Sequence, residues 1–221
     1  MECEHLLTGV AVQNPSLDQT HHRLHIGDAR DLSMVADGSV QLVVTSPPYP
    51  MIQMWDALFC TQSPAAQDAL AQEDGPAAFE AMHQVLDTVW SECARVLSPG
   101  GLLCINVGDA TRSLGGQFQM YPNHARILNS LTGLGLSVLP DILWRKPNNS
   151  PNKFMGSGML PGGAYVTYEH EYILIARKGG RRVFRTKTDR ELRRQSAYFW
   201  EERNLWFSDL WTGIRGTRQD L

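Results

Sequence analysis

No apolar run in this sequence approaches the roughly eighteen residues needed to cross a bilayer. The first residues, with Glu2, Glu4 and His5, lack the charge-then-apolar layout of a secretory leader, so a cytoplasmic location and no membrane partner are expected. Cysteine is scarce. Cys3, Cys60, Cys93 and Cys104 stand apart with no Cys-x-x-Cys pair, which argues against a disulfide framework and against a zinc site; no metal is expected. With 221 residues, 43% of them hydrophobic and 19% charged, the chain can bury one substantial core, and one α/β domain with appended loops is the default.

The net charge of −3 hides an asymmetry. Between positions 177 and 195 stand nine basic residues, Arg177, Lys178, Arg181, Arg182, Arg185, Lys187, Arg190, Arg193 and Arg194, against Asp189 and Glu191, a local excess near +7. Such a run is the footprint of a segment that tracks phosphates. The plainer alternative is a solvated basic helix or hairpin, and the interleaved Val183 and Phe184 require part of it to pack.

What is most informative is Val43-Val44-Thr45-Ser46-Pro47-Pro48-Tyr49-Pro50. Residues 41–45 are strand formers with no alternating charge and read as a short buried strand. Pro47 and Pro48 end it, because each fixes φ near −65° and donates no N–H, leaving a stiff loop with outward carbonyls. Ser46 Oγ and the Pro47 carbonyl can accept two N–H bonds from an amino group on a flat ring, while Tyr49 covers the ring face.

The surrounding chain alternates strand, helix and strand. Residues 22–26 read as a strand ending at Gly27-Asp28, which places Asp28 where open parallel sheets make ligand contacts; the ordinary alternative is an Asp capping a helix over 29–34. A helical segment is expected over 51–62, then a polar, Ala-rich connector over 62–74. Phe79, Met82, Leu86, Val89, Trp90, Cys93, Val96 and Leu97 recur at three and four residues and form one core stripe of a long helix opened by Pro76. Ser98-Pro99-Gly100-Gly101 breaks it before an apolar strand over 102–107 that ends at Gly108-Asp109. A helix over 122–131 and strands over 136–144 and 165–176 follow. The alternation marks a doubly wound α/β sheet.

Ser-Pro-Pro-Tyr after an apolar strand and a Thr resembles the catalytic motif of the exocyclic-amino DNA methyltransferases, in the serine form typical of the cytosine-N4 enzymes. The Gly-Asp upstream, Trp144-x-Lys146-Pro147-Asn148 and Glu169-His170-x-x-Ile173-Leu174 resemble the flanking segments of the permuted beta-group arrangement, in the same order. The resemblance implies a Rossmann-like methyltransferase fold with a mostly parallel sheet. It implies transfer of a methyl group from S-adenosyl-L-methionine to the N4 amino group of a cytosine flipped out of double-stranded DNA, within a restriction-modification system. Ser46, Pro47, Pro48 and Tyr49 would be catalytic, and Asp28, Ser46 and Pro47 would touch the cofactor. Arg181, Arg182, Arg185, Arg193 and Arg194 are the candidates for DNA phosphates. No Cys follows a proline, as the covalent chemistry of cytosine-C5 enzymes would require.

One expected part is missing. Phe154-Met155-Gly156-Ser157-Gly158 imitates the Phe-x-Gly-x-Gly cofactor signature, yet it follows a polar stretch and precedes Pro161-Gly162-Gly163, whereas a cofactor glycine loop follows an apolar strand and opens a helix. It reads as a loop over the substrate. The expectation is therefore an incomplete fold, with residues 1–178 as the catalytic part and 179–221 as a basic DNA-contacting and connecting segment. A truncated product, or a second polypeptide supplying the cofactor-binding half, follows from it. Adenine-N6 methylation, a noncatalytic or split-enzyme DNA-binding fragment, and a small-molecule methyltransferase are the alternatives.

Overall fold

The computed structural model describes residues 21–146 and 160–214. In chain order it holds β1 (Val40–Thr45), a 3₁₀ turn (Gln53–Trp55), α1 (Asp56–Gln62), α2 (Pro64–Ala71), α3 (Gly75–Val96), β2 (Leu97–Val107), β3 (Ala110–Leu114) and β4 (Gln117–Tyr121). Then come α4 (Asn123–Gly133), β5 (Leu136–Val138), β6 (Ile142–Arg145), β7 (His170–Lys178), α5 (Lys187–Gln195), α6 (Trp200–Trp206) and β8 (Leu210–Trp211).

Helix α3 forms where the apolar stripe predicts it. Asp74 accepts the Ala77 N–H at 3.0 Å, satisfying a first-turn donor that the helix itself cannot pair. Its buried side, with Met82, Leu86, Trp90 and Cys93, joins one core with Leu103 and Ile105 of β2, Leu174 and Ala176 of β7, and Ile127 and Leu131 of α4. Each fully buried Leu, Ile or Met contributes about 1.5–3 kcal/mol, so this layer fixes the strands that carry the site.

The main sheet runs β1-β2-β7-β6-β8, with β5 also paired to β7. Two pairings, β1 with β2 and β6 with β8, are parallel, and three, those of β7 with β2, β5 and β6, are antiparallel. The expected mostly parallel sheet is therefore corrected to a mixed one. A parallel pair needs a crossover, which α3 supplies between β1 and β2; β7 runs back against each neighbour and needs none.

Other expectations are corrected locally. Residues 22–26 form no strand, 29–34 form turns, and β7 starts only at His170. The strand expected over 136–144 divides into β5 and β6 around Pro140, which has no N–H for a ladder. The expected connector contains α2, whose first turn is capped by Ser63 Oγ accepting the Ala66 N–H at 3.2 Å. The β3–β4 hairpin is an addition to the expected elements. Among the described residues the strand expected to be buried is an edge strand: Val43 packs into the core, but Leu42 and Val44 are 54% and 73% exposed. Within residues 179–221, β8 pairs with β6, Leu210 beside Leu143 and Trp211 beside Trp144.

Candidate active site

Ser46 leaves the carboxyl end of β1 exposed, Pro47, Pro48 and Tyr49 are half-buried, and Pro50 is buried. The loop turns at Met51, a buried residue held at φ 68°, a left-handed conformation that residues with a side chain rarely adopt. Ser46 and Tyr49 are not sealed in the core.

The Tyr49 hydroxyl is the hub. It accepts from Asn106 Nδ2 at 2.8 Å, donates to Glu171 Oε2 at 3.2 Å, and lies 3.3 Å from Ser46 Oγ. Asn106 Nδ2 also donates to Glu171 Oε2 at 2.8 Å, and the Lys146 ammonium pairs with Glu171 Oε1 while lying over the Trp144 ring. A phenol has one proton, and here it faces a carboxylate; the Ser46 hydroxyl must then donate to Tyr49, which leaves the Ser46 lone pairs free as acceptors. Burial pushes the Tyr49 phenol up to about 12, so it keeps that proton.

A second set of bonds braces the loop. Asn123, fully buried at the start of α4, donates from Nδ2 to the Pro50 carbonyl at 3.1 Å and to the Gly108 carbonyl at 3.0 Å. This staples the loop after β1 to the end of β2. Asp109 at that strand end is spent on α4, accepting from His124 N at 3.0 Å and bonding His124 Nδ1 at 2.7 Å.

Asp28 and Pro48 share a cleft of about 490 Å³ with Gly27, Arg30 and the apolar Leu58, Phe59, Val85, Leu86 and Val89. Asp28 caps no helix. It accepts the Arg30 N–H at 2.9 Å and grips the Arg30 guanidinium, whose hydrogen bonds hold the carboxyl down at about 2. The arginine candidates lie elsewhere. Arg181, Arg182 and Arg185 line a second cleft of about 420 Å³ with Gln41, Ser98 and Pro99, at the opposite end of β1 from Ser46. Arg182 and Arg193 both face the Phe184 ring, and Arg194 lies 3.6 Å from Glu191 on α5. So the structure joins Asp28 to the diproline loop but separates Arg181, Arg182 and Arg185 from it by about 16 Å of strand. Residues 154–158 lie outside the described residues.

Asn106, Glu171, Lys146 and Asn123 carry the bracing, with His83 Nε2 3.0 Å from Asn123 Oδ1, and none of them is singled out by sequence reasoning. Lys146 sits in the Trp-x-Lys pattern, but without an assigned role, and Asn106 is a lone amide in an apolar strand.

An apolar edge strand ending in a rigid diproline loop, an exposed serine and a braced tyrosine fits the DNA methylases, whose family model matches residues 40–220; the chain belongs to that family. Among particular relatives, it is 53% identical over 204 residues to the type II methyltransferase M.MthZI of Methanothermobacter thermautotrophicus, covering 92% of this chain and 58% of that protein. It is 48% identical over 211 residues to the type II methyltransferase M.MjaI of Methanocaldococcus jannaschii, covering 90% of this chain and 69% of that one. A structure of the putative DNA modification methylase TTHA0409 of Thermus thermophilus, complexed with S-adenosyl-L-methionine, superposes with a TM-score of 0.67 at 34% identity, over 89% of this chain and 68% of that one. The chain thus spans 58% to 69% of the length of these relatives.

Proposed function

We propose that this chain is the catalytic part of a site-specific DNA methyltransferase that methylates the N4 amino group of cytosine. The observation that carries the reading is the Ser46–Tyr49 arrangement: an exposed serine whose proton is committed inward, on a loop without free N–H donors at Pro47 and Pro48. Such a rim presents acceptors and, at Pro47 and Pro48, no N–H donor, which suits an amino group.

In this reading the target base leaves the duplex, at a cost of a few kcal/mol offset in part by stacking on Tyr49. Ser46 Oγ and the Pro47 carbonyl hold the two amino hydrogens and so aim the nitrogen. The Lys146–Glu171–Asn106 network keeps the Tyr49 ring in place, so the acceptors are organised before the base arrives. S-adenosyl-L-methionine fits the neighbouring cleft in size and in having an apolar wall with Asp28 at its rim; when bound it supplies an electrophilic methyl group. Asp28 can take part only through lone pairs not used by Arg30. Arg181, Arg182, Arg185, Arg193 and Arg194 meet the duplex, the first three about five base-pair steps from the flipped base, given about 3.4 Å per step.

The test is methylation of duplex DNA in the presence of S-adenosyl-L-methionine, with nucleosides resolved by mass spectrometry. N4-methylcytosine that disappears with both Ser46→Ala and Tyr49→Ala supports the reading; N6-methyladenine instead overturns the cytosine assignment while keeping the acceptor roles. Unchanged methylation by both variants overturns the roles themselves.

A second reading rests on the relatives' length. Because about a third or more of each relative has no counterpart here, the chain fits one part of a split enzyme, or a DNA-binding fragment without activity of its own. Titration of the isolated chain with S-adenosyl-L-methionine separates the two: clear binding favours a self-sufficient site.

A further inference from the structure

The Asp28 cleft is lined by segments far apart in sequence. Val85, Leu86 and Val89 belong to α3, while Asp28 and Arg30 belong to a segment over 28–38 that forms neither helix nor strand and leads into β1. Turns alone set no distance to a helix, so the place of Asp28 depends on what ties that segment to α3.

Two side chains just beyond the cleft do the tying. Residues three and four apart are neighbours on a helix surface, so the row of Val85 and Val89 continues at Glu92 and Arg95, about 4.5 Å and 9 Å further along the axis than Val89. Glu92 Oε2 accepts the Leu32 N–H at 2.8 Å. Arg95 donates to the Leu32 and Val35 carbonyls at 2.8 and 3.0 Å, to the Asp37 carboxylate, and to Glu92 Oε1 and Oε2 at 2.8 and 2.7 Å. That commits every guanidinium N–H, in a planar fork that fixes its acceptors together. A partly exposed Glu–Arg pair one turn apart ordinarily contributes little. This one grips main-chain groups 60 to 63 residues away. The turn that bears it is itself anchored: the Lys178 ammonium at the end of β7 donates to the Ala94 and Arg95 carbonyls at 2.6 and 3.2 Å, and the Gly38 N–H donates to the Arg95 carbonyl at 3.1 Å. Hydrogen bonds from Arg95 and from the Leu32 N–H hold the Glu92 carboxyl down at about 2, so the pair stays ionised through the neutral range.

We propose that Glu92 and Arg95 are positioning residues for the ligand of the Asp28 cleft: they latch the segment over 28–38 to α3, so that Asp28 stands beside the apolar wall before a ligand arrives. Neither lines the cleft, and both act through Leu32 and Val35. A segment held in place in advance need not be ordered on binding, so the latch appears in ligand affinity and not in the chemical step. The inference rests on the methyl-donor reading of the cleft, which names the ligand.

The experiment compares the full chain with its Arg95→Gln and Glu92→Gln variants by amide hydrogen exchange and by calorimetric titration with S-adenosyl-L-methionine. The expected result is exchange over residues 31–38 at least about tenfold faster in Arg95→Gln, with β2 and residues 80–90 of α3 unchanged, and a Kd for the methyl donor raised about tenfold or more. Glu92→Gln keeps an oxygen for the Leu32 N–H and leaves Arg95 its main-chain acceptors, so both effects should be smaller; it serves where Arg95→Gln fails to fold. Affinity for duplex DNA without the donor should not move, and a loss equal to that for the donor would assign the pair to the fold at large and overturn the proposal. Unchanged exchange over 31–38, acceleration shared equally by β2 and α3, or an unchanged Kd beside a loosened segment would overturn it as well. An unsubstituted chain that binds no donor overturns the methyl-donor reading of the cleft instead, and the exchange contrast then sustains or overturns the latch by itself.

Discussion

His83 Nε2 lies 3.0 Å from Asn123 Oδ1, although the two are 40 residues apart in sequence. Asn123 spends its amide hydrogens on the Pro50 and Gly108 carbonyls, so its oxygen can only accept and His83 carries its proton on Nε2. His83 Nδ1 is then a buried acceptor without a hydrogen-bond partner among the described residues, and burial pulls the imidazole down to about 4. The loop that bears Ser46 and Tyr49 is therefore braced by a histidine that must stay neutral.

That neutrality predicts acid sensitivity. A folded value of about 4 against the ordinary 6.5 means the unfolded chain takes up a proton first as pH falls. The stability contributed by neutral His83 is complete above about pH 6.5 and is lost toward pH 4, by about 3 kcal/mol in all. Urea denaturation at a series of pH values should show this limb, and His83→Gln, which keeps an N–H for Asn123, should flatten it. An unchanged limb in the variant would assign the acid loss to other groups.

Removing the brace itself should cost more at constant pH. Asn123→Ala leaves the Pro50 and Gly108 carbonyls without their side-chain donor, and a buried unsatisfied group costs about 1–3 kcal/mol. A loss of about 2–4 kcal/mol is expected by denaturation, with faster amide exchange over residues 49–52 than over β2. Uniform acceleration across the sheet would mean that Asn123 supports the core and not the loop.

The uneven legibility of this chain has physical causes. Helix α3 can be read because eight apolar residues repeat at helical spacing, and the diproline loop because proline acts on the backbone wherever it stands. The hairpin escapes the sequence reading although Gly115 and Gly116, at φ 55° and 74°, are the residues a tight hairpin turn demands. The α2 start at Ser63-Pro64 likewise passes for a connector. Asn106, His83 and Glu171 leave no periodic trace: each is one polar residue in an apolar or mixed run, and their partners lie 25 to 122 residues away. The exposure of Leu42 and Val44 is invisible for a different reason, since an apolar run has the same spelling whether it is buried or exposed.

The role of Glu171 follows from where the Tyr49 proton points. Glu171→Gln replaces the carboxylate by an amide, weakens the hold on Tyr49 and releases Lys146. The phenol proton can then turn to Ser46 and take up the acceptor meant for the base. Bonds to charged groups are worth about 1.5–3 kcal/mol, so kcat in the complete enzyme should fall roughly 10- to 100-fold with DNA affinity little changed. A rise in KM alone would make Glu171 a substrate contact and not a positioning residue.

Gly108 tests the same network by contact. A Cβ there would stand 3.2 Å from Tyr49 Cε2 and 3.2 Å from Glu171 Cγ, so both must yield by a few tenths of an ångström. Gly108→Ala should destabilise by about 1–3 kcal/mol through overpacking. If the Tyr49 ring position governs turnover, methylation should fall further than folding does. Full activity in a folded variant would show that the ring tolerates displacement.

The arginines far from the loop give the sharpest test of how DNA lies. Arg181 and Arg185 form no ion pair among the described residues, and they line a cleft with the start of β1. If they meet phosphates, Arg181→Ala/Arg185→Ala should lower the slope of log K against log salt by about 2, since each duplex phosphate contact contributes about 0.9. Ser46→Ala should leave that slope alone, because it removes no charge. A slope unchanged by the arginine pair would confine the duplex to the Ser46 end of the sheet and leave residues 181–185 as a solvated face.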